Sequence, residues 1–290
     1  LHRPAHRDLP GALTEVFARE RTMHELHTRR VRVIRTADVA PRMRRVTLGG
    51  DDLAGFTAHG PADHVKVFFP DPATGVLTVP EPGGFRKPRE AGAPEIILRD
   101  YTPFAFRPDG EHGPELDLDF VLHGDEGVAG PWAAAAQPGH ELGIGGPRAS
   151  LGAPQGVDSA IVIADESALP AAARWLDAFG GEVPVTGLFF VDDAAVSSYL
   201  DSRRGGRREL HWFTGADRAA ALEQALRGLD IGERTFVFLA GEATTLIPLR
   251  RYLRRELGLS KAQADVHGYW KSGEVALDHH APIDPSDPED

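Results

Sequence analysis

The chain has 290 residues, 41% hydrophobic and 26% charged, with no Cys and a formal net charge of −11. That length suits two ordinary domains, each with its own core. The acidic balance argues against general nucleic-acid binding, and the missing Cys removes disulfides, thiolate metal ligands and cysteine-held iron–sulfur clusters.

No apolar run reaches the length that spans a bilayer. The first ten residues are polar and basic and lack the apolar stretch of a signal peptide. A cytoplasmic enzyme is the expectation. Residues 1–30 read as an N-terminal helix or arm, because Leu13, Val16 and Phe17 have helical spacing and a basic stretch follows. Residues 1–50 carry eleven Arg against five acids. That excess is either a solvated helix and strand face or, through Arg42, Arg44, Arg45 and Lys66, an attractor for an anionic substrate. Short alternating runs then come at 31–34, 43–48, 64–69, 95–99, 116–123 and 141–144, divided by Gly and Pro. Six such strands suggest a small closed antiparallel β-barrel over 31–150. The Pro- and Gly-rich part at 79–94 reads as a long surface loop.

The composition changes at 151–158. Apolar strand runs at 160–164, 183–191, 210–213 and 235–240 alternate with helical patterns at 169–179 and 219–226 and a weak helix at 193–200. Leu246, Leu249, Leu253 and Leu257 mark a last helix. Alternating strand and helix implies an α/β domain with a parallel, doubly wound sheet over 158–273. Its first strand is followed by Ala164-Asp165-Glu166-Ser167, not by the glycine fingerprint of dinucleotide sites. Asp165, Glu166 and Gly241-Glu242 fall at carboxyl ends of strands, where open α/β sheets take ligands. Acids at such places equally cap helices. Arg203, Arg204, Arg207 and Arg208 either clamp a 2′-phosphate or form a solvated loop. The 274–290 tail, rich in acids and Pro, reads as disordered. The thirteen His show no ligand spacing that suits a metal.

One stretch stands apart. Arg99-Asp100-Tyr101-Thr102 ends a strand. The alternating run 116–122 then leads into His123-Gly124 and a small-residue turn, Gly127-Val128-Ala129-Gly130, before Pro131-Trp132. A Pro near a helix start follows a loop whose amides suit a pyrophosphate. Gly146-Pro147-Arg148-Ala149-Ser150, the Asp165-to-Ala171 run and Tyr269-Trp270-Lys271 complete the set.

In order and spacing these motifs resemble the siderophore-interacting proteins, flavin-dependent ferric-siderophore reductases of the ferredoxin-reductase-like superfamily. The resemblance implies a two-domain protein: an antiparallel β-barrel FAD-binding domain, then an α/β parallel-sheet domain of the nicotinamide-nucleotide-binding kind. It implies FAD contacts from Arg99, Tyr101, Thr102, Asp119, Phe120, Val121, His123, Gly127, Val128, Ala129 and Trp132. NADH or NADPH, as co-substrate, is expected near Asp165, Glu166 and Trp270, although Trp270 equally suits an aromatic closing the α/β core. Lys66, Arg148 and Lys271 are the implied contacts for a ferric siderophore, and no protein metal site is implied. Phe104 stands where the family has a second Arg, with Arg107 as the candidate replacement, and Val128 replaces a Pro. Two rival readings are a flavin reductase exchanging electrons with a ferredoxin- or flavodoxin-type carrier, and a non-catalytic flavin- or siderophore-binding protein.

Overall fold

The computed structural model describes residues 15–81, 94–122, 127–274, 277 and 282–288. The chain divides into two compact units. One spans Arg21–Gly152; the other runs from Ala153 onward and includes the residues up to Glu20.

The first unit contains β1 (Arg21–Met23), β2 (Thr28–Ala40), β3 (Met43–Gly49), β4 (Val65–Phe69), β5 (Ile97–Tyr101), β6 (Pro103–Gly110), β7 (Gly113–Val121), the short helix α1 (Ala129–Ala135), β8 (Glu141–Gly145) and β9 (Ala149–Leu151). Seven strands form one sheet in the order β5-β4-β8-β2-β3-β7-β6, every pair antiparallel. The two edge strands, β5 and β6, are joined by the single residue Thr102. One residue spans only about 3.3 Å, so the sheet must curl until its edges meet at that corner. On β7, Leu116, Leu118 and Phe120 fill the interior, which turns Asp117 and Asp119 to the opposite face.

Two expectations change here. A seventh strand, β6, joins the six; its Pro103 and Pro108 mask the alternation in the sequence. Of the 1–30 segment, residues 1–14 lie outside the described residues, and from 15 on it is not one helix. Only a single turn forms at 15–17, Val16 and Phe17 are buried with the second unit, and β1 pairs antiparallel with β9. Backbone pairing there is reinforced by His24 Nε2, 2.8 Å from Ser150 Oγ. Of the long loop at 79–94, residues 82–93 lie outside the described residues.

The second unit contains β10 (Ser159–Ala164), α2 (Leu169–Ala178), β11 (Val185–Phe190), β12 (Arg208–Phe213), α3 (Arg218–Arg227), β13 (Thr235–Glu242), α4 (Ala243–Arg251) and β14 (Ala264–Trp270). The weak helix is a 3-10 helix, Ala194–Arg203. All five strands are parallel, in the order β12-β11-β10-β13-β14. Alternation along β13 divides its side chains between two helical layers. Val237 and Leu239 pack with Leu222 and Leu226 of α3 and Leu246 and Leu249 of α4. Phe236 and Phe238 meet Trp175 of α2 at 5.0 and 5.3 Å between ring centroids. A sheet covered on both faces accounts for the unbroken apolar runs. The edge strand β14 was not legible as a strand in the sequence.

The tail differs from expectation too. Residues 282–288 are seated, not disordered. Asp284, 3% exposed, pairs with Arg251 at 2.6 Å, and Asp287 pairs with Arg250 at 3.0 Å and Arg255 at 2.5 Å. Arg250 is fully buried, and a buried guanidinium requires carboxylates. Among the described residues no helix is long and apolar enough to cross a membrane.

Candidate functional site

The corner between β5 and β6 places Arg99, Tyr101 and Thr102 together. The Tyr101 ring lies 4.5 Å from Phe120 and 6.4 Å from Phe69, and Trp132 of α1 stands 5.7 Å from Phe69 and 6.0 Å from Phe120. Burial pushes the Tyr101 phenol well above its usual range, so it stays a neutral hydroxyl. Thr102 is 6% exposed. Arg99 donates to the Leu98 carbonyl at 2.6 Å and makes no ion pair among the described residues.

Val121 closes β7 opposite Met43. Gly127 has φ 77°, a left-handed turn that favours glycine. It leads to Val128, which precedes α1 without any side-chain cap. The amides of Ala129 and Gly130 are thus open at the helix start, while Pro131 has no N–H to satisfy. His123 lies outside the described residues. An aromatic wall for a planar ring, an arginine without a carboxylate and uncapped amides are what a flavin dinucleotide requires. These residues fit FAD.

Two expected contributors are engaged elsewhere. Asp119 faces away from Phe120 and accepts two hydrogen bonds from Arg45, each at 2.7 Å. Phe104 lies under that guanidinium at 3.8 Å, so it props an ion pair and binds no phosphate. Arg107 is not its replacement. It bonds both oxygens of Asp117, at 2.7 and 2.8 Å, and Glu115 at 3.0 Å. The arginines singled out in the Arg-rich start have partners within the chain. Arg42 donates to the Leu122 carbonyl, and Arg44 binds Asp38 and the Ala134 carbonyl at the end of α1.

At the carboxyl ends of the parallel strands, Asp165 is 3% exposed. It accepts bonds from Ser167 N and Oγ, Ala168 N, Glu242 N and Trp270 Nε1. Burial raises its pKa, and the donated bonds pull the other way. Five donors exhaust a carboxylate, so Asp165 has no lone pair for a nucleotide. Glu166 accepts the Asp192 amide, and burial raises its pKa as well. Trp270 does not close the core: it is 45% exposed.

Among the expected substrate residues, Lys66 pairs with Asp100 at 3.1 Å and Lys271 with Glu274 at 3.0 Å. Arg148 is exposed and has no ion pair among the described residues. The four-arginine run precedes or opens β12, the amino edge of the sheet, away from the ligand end; Arg203 and Arg204 are paired there with Asp177 and Asp201. Sequence reasoning missed the Arg45–Asp119 pair, whose only signal was two period-2 strands in register. It also missed that Glu242 binds the Ser272 amide at 3.2 Å. Among the described residues no three His, Asp or Glu converge as a metal site.

Comparisons with known proteins bear on the family and the fold. Residues 32–151 match the model of the siderophore-interacting FAD-binding domain, and 157–273 match that of the siderophore-interacting protein. The chain is 33% identical to the NADPH-dependent ferric-chelate reductase of Escherichia coli over 247 residues, covering 82% of this chain and 91% of the relative. It is 29% identical to ferric vibriobactin reductase ViuB of Vibrio cholerae, over 89% of this chain and 94% of the relative. A siderophore utilization protein from T. fusca superposes with a TM-score of 0.79 at 41% identity, covering 91% of this chain and all of that one. The ferredoxin reductase of carbazole 1,9a-dioxygenase shares the fold alone, at 14% identity, TM-score 0.59, covering 84% of this chain and 69% of that one. The chain therefore belongs to the siderophore-interacting protein family, with residues 32–151 as its FAD-binding domain.

Proposed function

We propose that this protein is an FAD-dependent reductase that uses NADPH to reduce Fe(III) in a ferric siderophore and release Fe(II), acting in the cytoplasm. The observation that carries the reading is the sheet corner, where Arg99, Tyr101 and Thr102 converge beside the Trp132 helix. FAD supplies the acceptance of two electrons and their release one at a time. The chain's own residues bind and orient. Tyr101 and Trp132 offer planar walls, and Arg99 and the amides of Ala129 and Gly130 offer charge and donors to a pyrophosphate.

The iron is substrate. Hard oxygen ligands hold Fe(III) far better than Fe(II), so reduction loosens the metal without a protein ligand. Arg148 is the cation available for an anionic siderophore; Lys66 and Lys271 carry carboxylate partners and contribute less. NADPH is favoured as donor by the likeness to the E. coli reductase.

The test is anaerobic. Purified protein loaded with FAD should be bleached by NADPH and recoloured by a ferric siderophore, with two Fe(II) trapped by a chromogenic chelator per NADPH. Bleaching without siderophore turnover would point to a carrier-coupled reductase, and failure to bleach to a binding protein. Either outcome overturns the reading.

A further inference from the structure

An exposed indole ordinarily has no fixed orientation, since water satisfies its N–H. Trp270 ends β14 and is 45% exposed, yet its Nε1 donates to Asp165 Oδ2 at 2.8 Å. The acceptor is immobile. Asp165 Oδ1 is held by Ser167 N at 2.9 Å, Ser167 Oγ at 2.6 Å and Ala168 N at 3.2 Å. Its Oδ2 also takes Glu242 N at 2.8 Å. This approach requires glycine at 241, where a Cβ would lie 2.7 Å from Asp165 Cγ and Oδ2. A second tether follows two residues later: Glu242 Oε1 accepts Ser272 N at 3.2 Å, while its Oε2 is fixed by Thr245 N at 2.7 Å. The indole is thus tied to the ends of β10 and β13, and there the strand order reverses.

We infer that Asp165 is a positioning residue that sets the Trp270 indole as a fixed planar wall for the nicotinamide ring of the electron donor. The inference rests on the reading that NADPH is that donor. Capping the Glu166–Ala168 turn uses Oδ1 alone; the second oxygen is spent on Glu242 and the indole. Burying a carboxylate is costly, and here the return is orientation of an exposed ring. The switch point of an open α/β sheet is where a dinucleotide lies. An electron-rich indole face suits a planar ring that becomes cationic on oxidation, and a ring already fixed needs no ordering when the donor arrives.

The test is a double-mutant cycle in the full chain loaded with FAD. Trp270→Phe keeps an aromatic face and removes only the donor; Asp165→Asn keeps the shape of its partner. Stopped-flow bleaching by NADPH should slow about tenfold in each single variant. The double variant should be no slower than the slower single one, because both break one tether. Reduction by dithionite should be unchanged. Trp270→Phe at the wild-type rate, or a double variant slowed about a hundredfold by simple addition, overturns the inference. So does hydrogen exchange of the Trp270 indole N–H, assigned by its loss in Trp270→Phe, that is as fast in wild type as in Asp165→Asn. If NADPH fails to bleach the wild-type protein, the donor reading itself fails and takes this inference with it; cycle results of the overturning kind in a bleachable protein remove the inference alone.

Discussion

Arg99 and Arg107 lie eight residues apart, and the sequence offered both as phosphate ligands. Arg99 donates to the Leu98 carbonyl and has no ion pair among the described residues. Arg107 is committed to Asp117 and Glu115, which are 4% and 1% exposed. Replacing each by Met should therefore separate binding from stability. Arg99→Met removes a charge-assisted phosphate contact worth about 2 to 3 kcal/mol, which weakens FAD binding by about 30- to 150-fold. The melting of the FAD-free protein should move by no more than about 2 °C. Arg107→Met leaves two buried carboxylates with Arg35 and Thr47 as remaining partners. Since Arg107 is itself 38% exposed, the cost is discounted to about 2 kcal/mol. For a unit of this size that lowers melting by about 8 °C, with FAD affinity within about threefold of wild type. Quenching of flavin fluorescence on titration and thermal melting of the stripped protein measure the two quantities. If Arg107→Met weakens FAD more than Arg99→Met, then Arg107 does take the place left by Phe104, and the assignment of roles given above is wrong.

The acid limb of stability should depend on Glu115, whose carboxyl is held down to about 2 by hydrogen bonds from Arg35 and then Arg107. A depressed carboxylate adds stability above about pH 4.5 that is lost as pH falls toward 2, about 1 to 2 kcal/mol once the exposure of both arginines is discounted; Glu115→Gln should flatten chemical-denaturation stability across that window, and an unchanged slope would exclude the pairing of Glu115 with Arg35 and Arg107. Asp287→Ala should cost about 1.5 to 3 kcal/mol, because Arg250 is fully buried against it, and should expose the tail to proteases; a change under about 0.5 kcal/mol, as for a solvated segment, would contradict the seated tail. Arg148→Ala should raise KM for ferric siderophore about tenfold, as loss of one charged contact does, with NADPH-driven flavin bleaching unchanged; Lys66→Ala should do less.

The fold was largely legible because both sheets obey simple periods. Alternation marked the barrel strands, and unbroken apolar runs marked the strands covered on both faces. What escaped had physical causes. Pro103 and Pro108 hid β6, and β1 and β9 are three-residue strands that pair only with each other. The tail's carboxylates read as solvated because the arginines that hold them are thirty or more residues away. At the candidate site, Tyr101 and Trp132 stand against Phe120, whose ring is buried in the barrel interior. Asp119 does not join them, since β7 turns it to the other face, where Arg45 of β3 lies directly across in the register.

Residue type says what a side chain can bind, but only the structure says what has already bound it. Of the cations the sequence singled out, Arg44, Arg45, Arg107, Arg203, Arg204, Lys66 and Lys271 are engaged by carboxylates, whereas Arg42 and Arg208, like Arg99, donate to backbone carbonyls. Arg99, Arg148 and Arg207 have no ion pair among the described residues. Arg207 precedes β12 at the amino edge of its sheet, the wrong end for a nucleotide. Arg99 and Arg148 both lie in the unit of Arg21–Gly152 and have no carboxylate partner among the described residues. In a protein with a net charge of −11, a cation left without a carboxylate is a place where an external anion meets no internal competitor. Under the proposed function the dinucleotide phosphates fall to Arg99 and the anionic iron carrier to Arg148, and neither substitution should impair the other's ligand.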